Sequence, residues 1–253
     1  MRHENTRMKN KPLQIPAIRC LIGLALVACQ SPSLKAEEPS QLIFQDDFQR
    51  SESQEKTDEP GNGWGTNSKS RAKNNKQVDL RDGAMFIFIH KEANHAVSVT
   101  HPAEFRDGAV ALRFRLDDAK DSLGLDFADL TCKEVHAGHL FVASVTPKLV
   151  TLRDLKTGAM NLQIQEARLA KKLTAEQQQM LLGKEKQFPL PLETGKWHDL
   201  LVKIEGDELS ATIDGKLVGS FKSAGIAHPT KRLLRLSVPR NAVVDDVKIW
   251  RKQ

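Results

Sequence analysis

The chain has 253 residues, of which 38 are basic and 32 acidic, so its formal net charge at pH 7 is +6. Five basic residues and one acidic residue lie in residues 1–28, which leaves a net charge of only +2 on the remainder. Because the excess charge belongs to the first residues and the other charges are interspersed, the sequence predicts no nucleic-acid partner.

The first 28 residues have the pattern of an export signal. Basic residues up to Arg19 precede an apolar run from Cys20 to Cys29, which is too short to span a bilayer. Leu26-Val27-Ala28-Cys29 also resembles the bacterial lipobox, in which the signal peptide is cut before a cysteine that carries lipid. These features predict a signal peptide over residues 1–28 and lipidation at Cys29.

A polar segment over residues 29–40 follows and is interpreted as a tether. The expected location is the periplasm or the outer membrane, with the lipid on Cys29 as the only membrane contact. Cleavage after Ala36 remains open as an alternative and would give a secreted protein without lipid.

Cysteine usage limits covalent chemistry in residues 41–253. Cys20 and Cys29 belong to the predicted leader and lipobox, so Cys132 has no partner within the remaining chain and no internal disulfide is expected. A lone cysteine is more often a small packed side chain than a nucleophile, and Cys132 is interpreted in that way.

Short segments of alternating apolar and polar residues recur through residues 41–253, which is typical of β-strands. Asp82-Gly83, Gly206-Asp207 and Asp214-Gly215 lie between such segments and indicate hairpin turns. The regular spacing favours two antiparallel sheets over a parallel α/β fold. The predicted segments are 42–48, 78–80, 84–89, 96–100, 109–116, 123–127, 140–145, 149–152, 197–207, 210–216 and 244–250.

Two regions interrupt this pattern. Residues 49–76 are polar and predict a long loop with one aromatic residue, Trp64. Residues 161–184 predict a helical insertion, because Thr174 and Gln177 have the spacing of a capping box and Gly183 follows as a stop. Packing of this helix on the side of the sandwich is favoured, and docking of a partner or a membrane remains open.

Three motifs resemble concanavalin A-like (laminin G-like) jelly-roll domains of exported bacterial proteins. They are Asp46-Asp47-Phe48 with the later Trp64, the block from Trp197 to Gly215, and Val244-Asp245-Asp246-Val247-Lys248-Ile249-Trp250. The similarity extends to the 3-keto-disaccharide hydrolase-like (DUF1080-type) group. It implies an all-β, two-sheet antiparallel jelly-roll sandwich over residues 41–253, with the first and last strands side by side.

Such a scaffold serves carbohydrate binding, glycan cleavage or non-catalytic protein interaction, and the fold does not choose among them. The glucanases of this fold present Glu-x-Asp-x-(x)-Glu on one strand. The chain lacks this run, and its only Glu-x-Asp, Glu205-Gly206-Asp207, falls in a predicted turn. Retaining hydrolysis needs carboxyl groups roughly 5–5.5 Å apart. The sequence therefore leans against an enzyme.

A shared polar site is expected on neighbouring strands around Asp126. Asp126 alternates with Leu125 and Phe127, so it points away from the core. Together with charged and imidazole groups nearby it would bind sugar hydroxyls or a carboxylated ligand. The expected ligand-binding residues are Trp64, Arg113, Arg115, Asp126, Asp129, His136 and His139, with Trp64 closing over the others.

Two clusters of residues could instead bind a metal ion. His136 and His139 with a nearby aspartate have ligand types that suit zinc. If the terminal strands pair, four aspartates would gather and their oxygen atoms would suit calcium. These four are Asp46, Asp47, Asp245 and Asp246. We prefer the interpretation that these aspartates are solvated or cap turns. No cofactor is therefore expected, and calcium is the one alternative.

The sequence therefore predicts a carbohydrate-binding-like module of the cell envelope whose partner is a glycan or an envelope polysaccharide. A hydrolase or lyase acting on modified glycosides, with Asp126 and His139 as acid and base, is the first alternative. A scaffold that binds only proteins is the second. Trp197 and Trp250 lie in strongly apolar segments and are expected in the core.

Overall fold

The structure is a computed structural model that describes Met1 and residues 40–253. The predicted signal peptide, the lipobox cysteine Cys29 and the tether up to residue 39 lie outside the described residues. In the part of the chain that is described, no helix has the length and apolar character needed to cross a membrane.

Fifteen strands in residues 40–253 form two antiparallel sheets, which confirms the predicted jelly-roll sandwich. Sheet A comprises β1 (Ser40–Asp46), β3 (Val78–Arg81), β4 (Ala84–Phe88), β6 (Gly108–Arg115), β11 (Trp197–Glu205), β12 (Glu208–Ile213), β13 (Lys216–Lys222) and β15 (Asn241–Lys252). Sheet B comprises β2 (Gly65–Thr66), β5 (Val97–Phe105), β7 (Leu123–Ala128), β8 (His139–Val145), β9 (Leu149–Asp154), β10 (Glu185–Pro189) and β14 (Lys231–Val238).

The strand order in sheet A is β13-β12-β11-β6-β15-β4-β3, and β1 pairs with the second half of β15. In sheet B the order is β10-β9-β8-β7-β14-β5-β2. The first and last strands are antiparallel neighbours, with Asp46 opposite Val247, as the resemblance implies.

Two of the predicted hairpin turns have the backbone that their residues favour. Asp82 and Gly83 join β3 to β4 with φ values of 53° and 69°, and Asp214 and Gly215 join β12 to β13 with 50° and 73°. Two consecutive positive φ angles are the requirement of a type I′ turn, which matches the twist of the flanking strands. The Asp-Gly pairs therefore fix the register of both hairpins.

The core lies between the inner faces of the two sheets. On β6, Val110, Leu112 and Phe114 are buried, while the alternate residues are partly exposed. On the facing sheet, the rings of Phe127 and Phe141 stack with centroids 5.0 Å apart. Each large apolar side chain removed from water stabilises the fold by about 1.5–3 kcal/mol.

The helical insertion consists of two short helices, α2 (Leu162–Leu169) and α3 (Ala175–Leu182); a further single turn, α1 (Ser68–Arg71), lies in the predicted loop 49–76. Thr174 and Gln177 form the predicted capping box, and Gly183 caps the end of α3. Ile164 is the one buried residue of α2 and α3. The insertion therefore packs on the sandwich through little apolar surface.

Candidate functional site

The predicted polar site is split between two opposite faces of the molecule. Arg113 and Arg115 point outward from β6 in sheet A, whereas Asp126 points outward from β7 in sheet B. Packed sheets lie about 10 Å apart with the core between them. The prediction of one shared surface was therefore wrong, because the sequence does not reveal which sheet a strand joins.

On sheet B, Asp126 forms a buried cluster with His139 and Arg235. His139 Nδ1 lies 2.6 Å from Asp126 Oδ2, and Arg235 Nη1 donates to Asp126 Oδ1 at 3.0 Å. The predicted neighbours Asp126 and His139 are thus together, and Arg235 is the residue that the sequence analysis missed. It lies directly opposite Asp126 on the adjacent strand β14, which only the strand pairing reveals.

A second cluster surrounds Asp129 at the end of β7. His228 Nε2 lies 3.0 Å from Asp129 Oδ2, and the Thr131 hydroxyl donates to Asp129 Oδ1 at 2.7 Å. Lys156 Nζ is 3.1 Å from His228 Nδ1. Burial opposes ionisation of Asp129, but the hydrogen bonds from His228 and Thr131 outweigh it and hold the pKa of Asp129 below its usual value. These partners therefore favour the ionised form of Asp129.

Among residues 40–253, His136 and His139 belong to no group of three metal-ligating side chains with their ligand atoms close together. The His136 and His139 rings are stacked with centroids 6.4 Å apart. Among residues 40–253, the one group of three metal-ligating side chains whose ligand atoms lie within 4.8 Å of one another is Glu52, Glu55 and Asp79.

That acidic group already surrounds a cation of the protein itself. Lys76 Nζ lies 2.8 Å from Glu52, 2.7 Å from Glu55 and 2.8 Å from Asp79. Burial opposes the charge on Lys76, but these carboxylates outweigh it and raise the pKa of Lys76. The ammonium group therefore occupies the position that a metal ion would take.

Trp64 does not close over a ligand surface, which corrects the sequence prediction. Its side chain is 7% exposed and packs against Phe44, Phe48 and His101. The indole Nε1 donates to Asp46 Oδ2 at 2.8 Å. A glycine-rich loop suggested exposure, but the buried acceptor on β1 draws the indole into the core.

Asp46 is therefore engaged by the protein and is not free to ligate calcium. Arg50 Nη1 lies 2.7 Å from Asp46 Oδ1, opposite the indole contact on Oδ2. Burial opposes its ionisation, but the hydrogen bonds from Arg50 and Phe48 prevail and lower the pKa of Asp46. Asp47 and Asp246 line one cleft of about 640 Å³ beside this ion pair.

The outer face of sheet A carries the two tryptophans that were expected in the core. Trp197 and Trp250 are each partly exposed, which corrects that expectation. The signal was available, because Leu200, Val202 and Ile204 are the inward positions of β11 and Trp197 has the opposite parity. Trp250 likewise alternates with the buried Ile249.

Rings and guanidinium groups alternate across this face. The Arg81 guanidinium lies 4.0 Å from the centre of the Phe86 ring, and Arg115 lies 5.8 Å from the same ring. Arg115 and Arg113 lie 5.4 Å and 5.0 Å from the Trp197 ring. These cation–π contacts hold Trp197 in a fixed orientation.

Acidic side chains surround Arg113 in the next row of the sheet. Arg113 lies opposite Asp199 on β11 and Asp245 on β15. Its Nη1 is 3.4 Å from Asp245 Oδ2 and 3.8 Å from Asp246 Oδ2, and its Nε is 3.8 Å from Asp199. Arg113 is thus the centre of a mixed-charge row.

A β-bulge on β15 brings both of its aspartates toward Arg113. The register shifts between Asp245 and Lys248, and Asp246 has a φ of 48°. Such bulges re-aim side chains and are common beside functional sites. Burial, together with the nearby charges of Asp246 and Asp47, raises the pKa of Asp245 despite the opposing effect of Arg113.

Beyond this charged row lies a cleft of about 450 Å³, which we name the β6 groove. Ala111 forms part of its floor, Trp250 and Lys248 flank it on β15, and Leu201 and Thr212 line the other side. Arg113, Asp199 and Asp246 border its end. The β6 groove thus combines an indole, a small-residue floor and hydrogen-bonding groups of both signs.

No protein-family model and no curated protein matches the sequence. Solved structures are similar in fold. The laminarinase from Rhodothermus marinus has a TM-score of 0.55 and 12% identity, covering 85% of this chain and 98% of that chain. Porphyranase B from Zobellia galactanivorans has a TM-score of 0.53 and 11% identity, covering 87% and 97%.

The laminarinase catalytic domain from Thermotoga maritima has a TM-score of 0.52 and 12% identity, covering 85% of this chain and 100% of that chain. At such identities the similarity establishes the fold alone. The chain therefore shares the two-sheet jelly-roll β-sandwich fold of these structures.

Proposed function

We propose that the protein is a carbohydrate-binding β-sandwich protein and that the β6 groove on sheet A is its site. One observation carries this proposal. The partly exposed indole of Trp250 and the mixed-charge row around Arg113 border the same groove, whose floor is formed by small residues.

This combination suits the chemistry of sugars. The apolar face of a pyranose ring packs on an aromatic side chain, while its hydroxyl groups exchange hydrogen bonds with guanidinium and carboxylate groups. Arg113 supplies donors, and Asp199 and Asp246 supply acceptors at the same border of the groove. The cluster on sheet B lacks an aromatic platform, and its charged groups are paired with one another.

A glycan array screened with the purified protein tests the proposal. The similar solved structures are laminarinases and a porphyranase by name, so laminarin and porphyran belong on the array. Trp250→Ala should lose binding, and His136→Ala, an exposed change on the opposite sheet, should retain it. Loss of glycan binding in His136→Ala but not in Trp250→Ala would instead place the site on sheet B.

Absence of binding to any glycan would contradict the proposal. Capture of a protein partner by the same face would then favour the interaction scaffold.

A second candidate function is hydrolysis or elimination on a modified glycoside, as in the 3-keto-disaccharide hydrolase-like (DUF1080-type) group. One observation favours it: burial raises the pKa of Asp245, which lies beside Asp246, and a raised pKa favours the proton-donating role of a general acid. On sheet B, the sequence analysis proposed Asp126 and His139 as acid and base, and these two side chains are in contact.

The assay incubates the protein with each bound glycan and measures new reducing ends and unsaturated products. Loss of turnover in Asp245→Asn, with binding retained, would establish the enzyme on sheet A. Loss in His139→Ala alone would establish it on sheet B.

We also propose that the protein is exported and carries lipid on Cys29, which would bring the β6 groove to an envelope polysaccharide. The support is the lipobox-like Leu26-Val27-Ala28-Cys29 after a basic and apolar leader. Intact mass of the protein from the membrane fraction should show a lipidated chain that begins at Cys29. A soluble, unmodified chain that begins at Glu37 would contradict lipid attachment.

A further inference from the structure

We infer that the outer face of sheet A binds an extended sugar chain, longer than a disaccharide, through Trp197 and Trp250 together. This rests on the proposed function and goes beyond it, because it assigns the interior of a polysaccharide, and not a single terminal sugar, as the ligand. The argument depends on where the two indoles lie along β6.

Strand pairing fixes the distance between the two tryptophans. Trp197 lies opposite Arg115, and Trp250 lies opposite Ala109, on either side of β6. The six-residue offset along β6 corresponds to about 20 Å, and the two strand spacings between β11 and β15 add about 10 Å sideways. A disaccharide is too short to contact both indoles, whereas an oligosaccharide chain reaches from one to the other.

The surface between the indoles can accommodate such a chain. Ala109 and Ala111 are the outward residues of β6 next to Trp250, so no bulky side chain rises from the strand there. Arg113 follows, with acidic partners on both neighbouring strands. A chain lying along β6 would therefore meet an indole, a smooth floor, a row of donors and acceptors, and a second indole.

The surface at this end of β6 also has room on the side away from Trp197, over β15 and β4. A cleft of about 340 Å³ there is lined by Arg81, Phe86, Arg115 and Asp117. Phe86 and Arg115 belong to the same alternating row as Trp197. Because this row is held by cation–π contacts before any ligand arrives, binding a chain orders few additional side chains.

The test measures affinity against chain length by calorimetry. The probes are laminaribiose, laminaritetraose and laminarihexaose, and the cello-oligosaccharides of the same lengths. We expect the hexasaccharide to bind at least about tenfold more tightly than the disaccharide, since one aromatic contact contributes a factor of about three to ten. Trp197→Ala and Trp250→Ala should each remove most of this gain.

Ala111→Phe is the variant that separates a continuous path from two independent platforms. It places a ring on the floor between the indoles while leaving both in place, so it should reduce the gain in affinity from disaccharide to hexasaccharide. His136→Ala, on the opposite sheet, is the matched control, and thermal unfolding verifies the fold of each variant.

Equal affinity for disaccharide and hexasaccharide would overturn the extended-chain inference while leaving sugar binding intact. Length dependence that Ala111→Phe does not change would also overturn it. If no oligosaccharide of any length binds and the glycan array also shows no binding, the proposed function is overturned as well.

Discussion

His139 Nδ1 lies 2.6 Å from Asp126 Oδ2 across two neighbouring strands of sheet B. Asp126 is 4% exposed, and Arg235 completes its hydrogen bonds from the opposite strand. A buried carboxylate shared by an imidazole and a guanidinium group fixes the register of β7 between β8 and β14. This relationship gives the sheet B cluster a structural role alongside any chemistry that it performs.

Asp126→Ala should therefore destabilise the protein strongly. It leaves the Arg235 guanidinium, only 12% exposed, without its carboxylate, and breaking a buried pair in this way costs about 3–5 kcal/mol. Urea unfolding measures the effect. The double variant Asp126→Ala with Arg235→Met should recover part of the loss, and a loss of under about 1 kcal/mol in the single variant would contradict the structural role.

Lys231 should make stability depend on pH in the alkaline range. It is fully buried, and its Nζ donates to the carbonyl oxygens of Arg106 at 2.6 Å and His228 at 2.9 Å. Burial lowers the pKa of Lys231 from 10.5 to about 8. Between these values the unfolded chain holds more protons than the folded one, so the free energy of unfolding should rise with pH, by about 3 kcal/mol in total.

Urea titrations from pH 7 to pH 11 compare the wild type with Lys231→Met, which should lack this rise. An identical pH dependence in the two proteins would show that Lys231 does not titrate in this window.

Trp64→Phe should weaken the protein at neutral pH and lose that effect in acid. The indole Nε1 donates to the ionised Asp46, and a hydrogen bond to a charged group contributes about 1.5–3 kcal/mol. The pKa of Asp46 is lowered in the fold, so its contribution is present above its ordinary pKa of 3.8 and disappears as pH falls through the lowered value. Denaturation at neutral and acidic pH checks the convergence of the two proteins.

Asp154 should be essential for joining two loops to the end of β9. It is fully buried and accepts hydrogen bonds from the Thr157 and Gly225 backbone amides and the Ser223 hydroxyl. Asp154→Ala leaves these donors unsatisfied, and we expect a loss of about 2–4 kcal/mol. Gly225→Ala should also destabilise, because its methyl group would overlap the Asp154 carboxylate. Thermal unfolding of both variants is the measurement.

Sugar binding should not require calcium. Asp46 is committed to Arg50 and Trp64, and Asp245 faces Arg113, so two of the four aspartates that sequence analysis grouped already have cationic or indole partners. Binding measured in EDTA and in added calcium should agree. A requirement for calcium would contradict this and direct attention to Asp47 and Asp246.

The strands and turns were predictable because their signals are local. Alternation along β6 and the Asp-Gly turns before β4 and β13 identify a strand and its register within a few residues. The capping box at Thr174 and Gln177 is equally local and was confirmed.

The candidate site was only partly predictable, since it depends on pairing between distant segments. Arg113 and Asp126 are thirteen residues apart but lie on different sheets, whereas Asp126 meets Arg235 across more than a hundred residues. Trp64 illustrates the same limit: its loop resembles an exposed segment, and only the acceptor on Asp46 explains its burial.

The positions of β14 and β15 determine when the fold can form. β14 lies between β7 and β5 in sheet B, and β15 lies between β6 and β4 in sheet A. Until both strands have been synthesised, each sheet consists of separate halves with open edges, so the chain can form hairpins but not the sandwich. Pairings over such long sequence separations make folding slow. The export proposed above needs a chain that has not yet folded, and this order of pairing keeps the sandwich from forming until the last strands emerge.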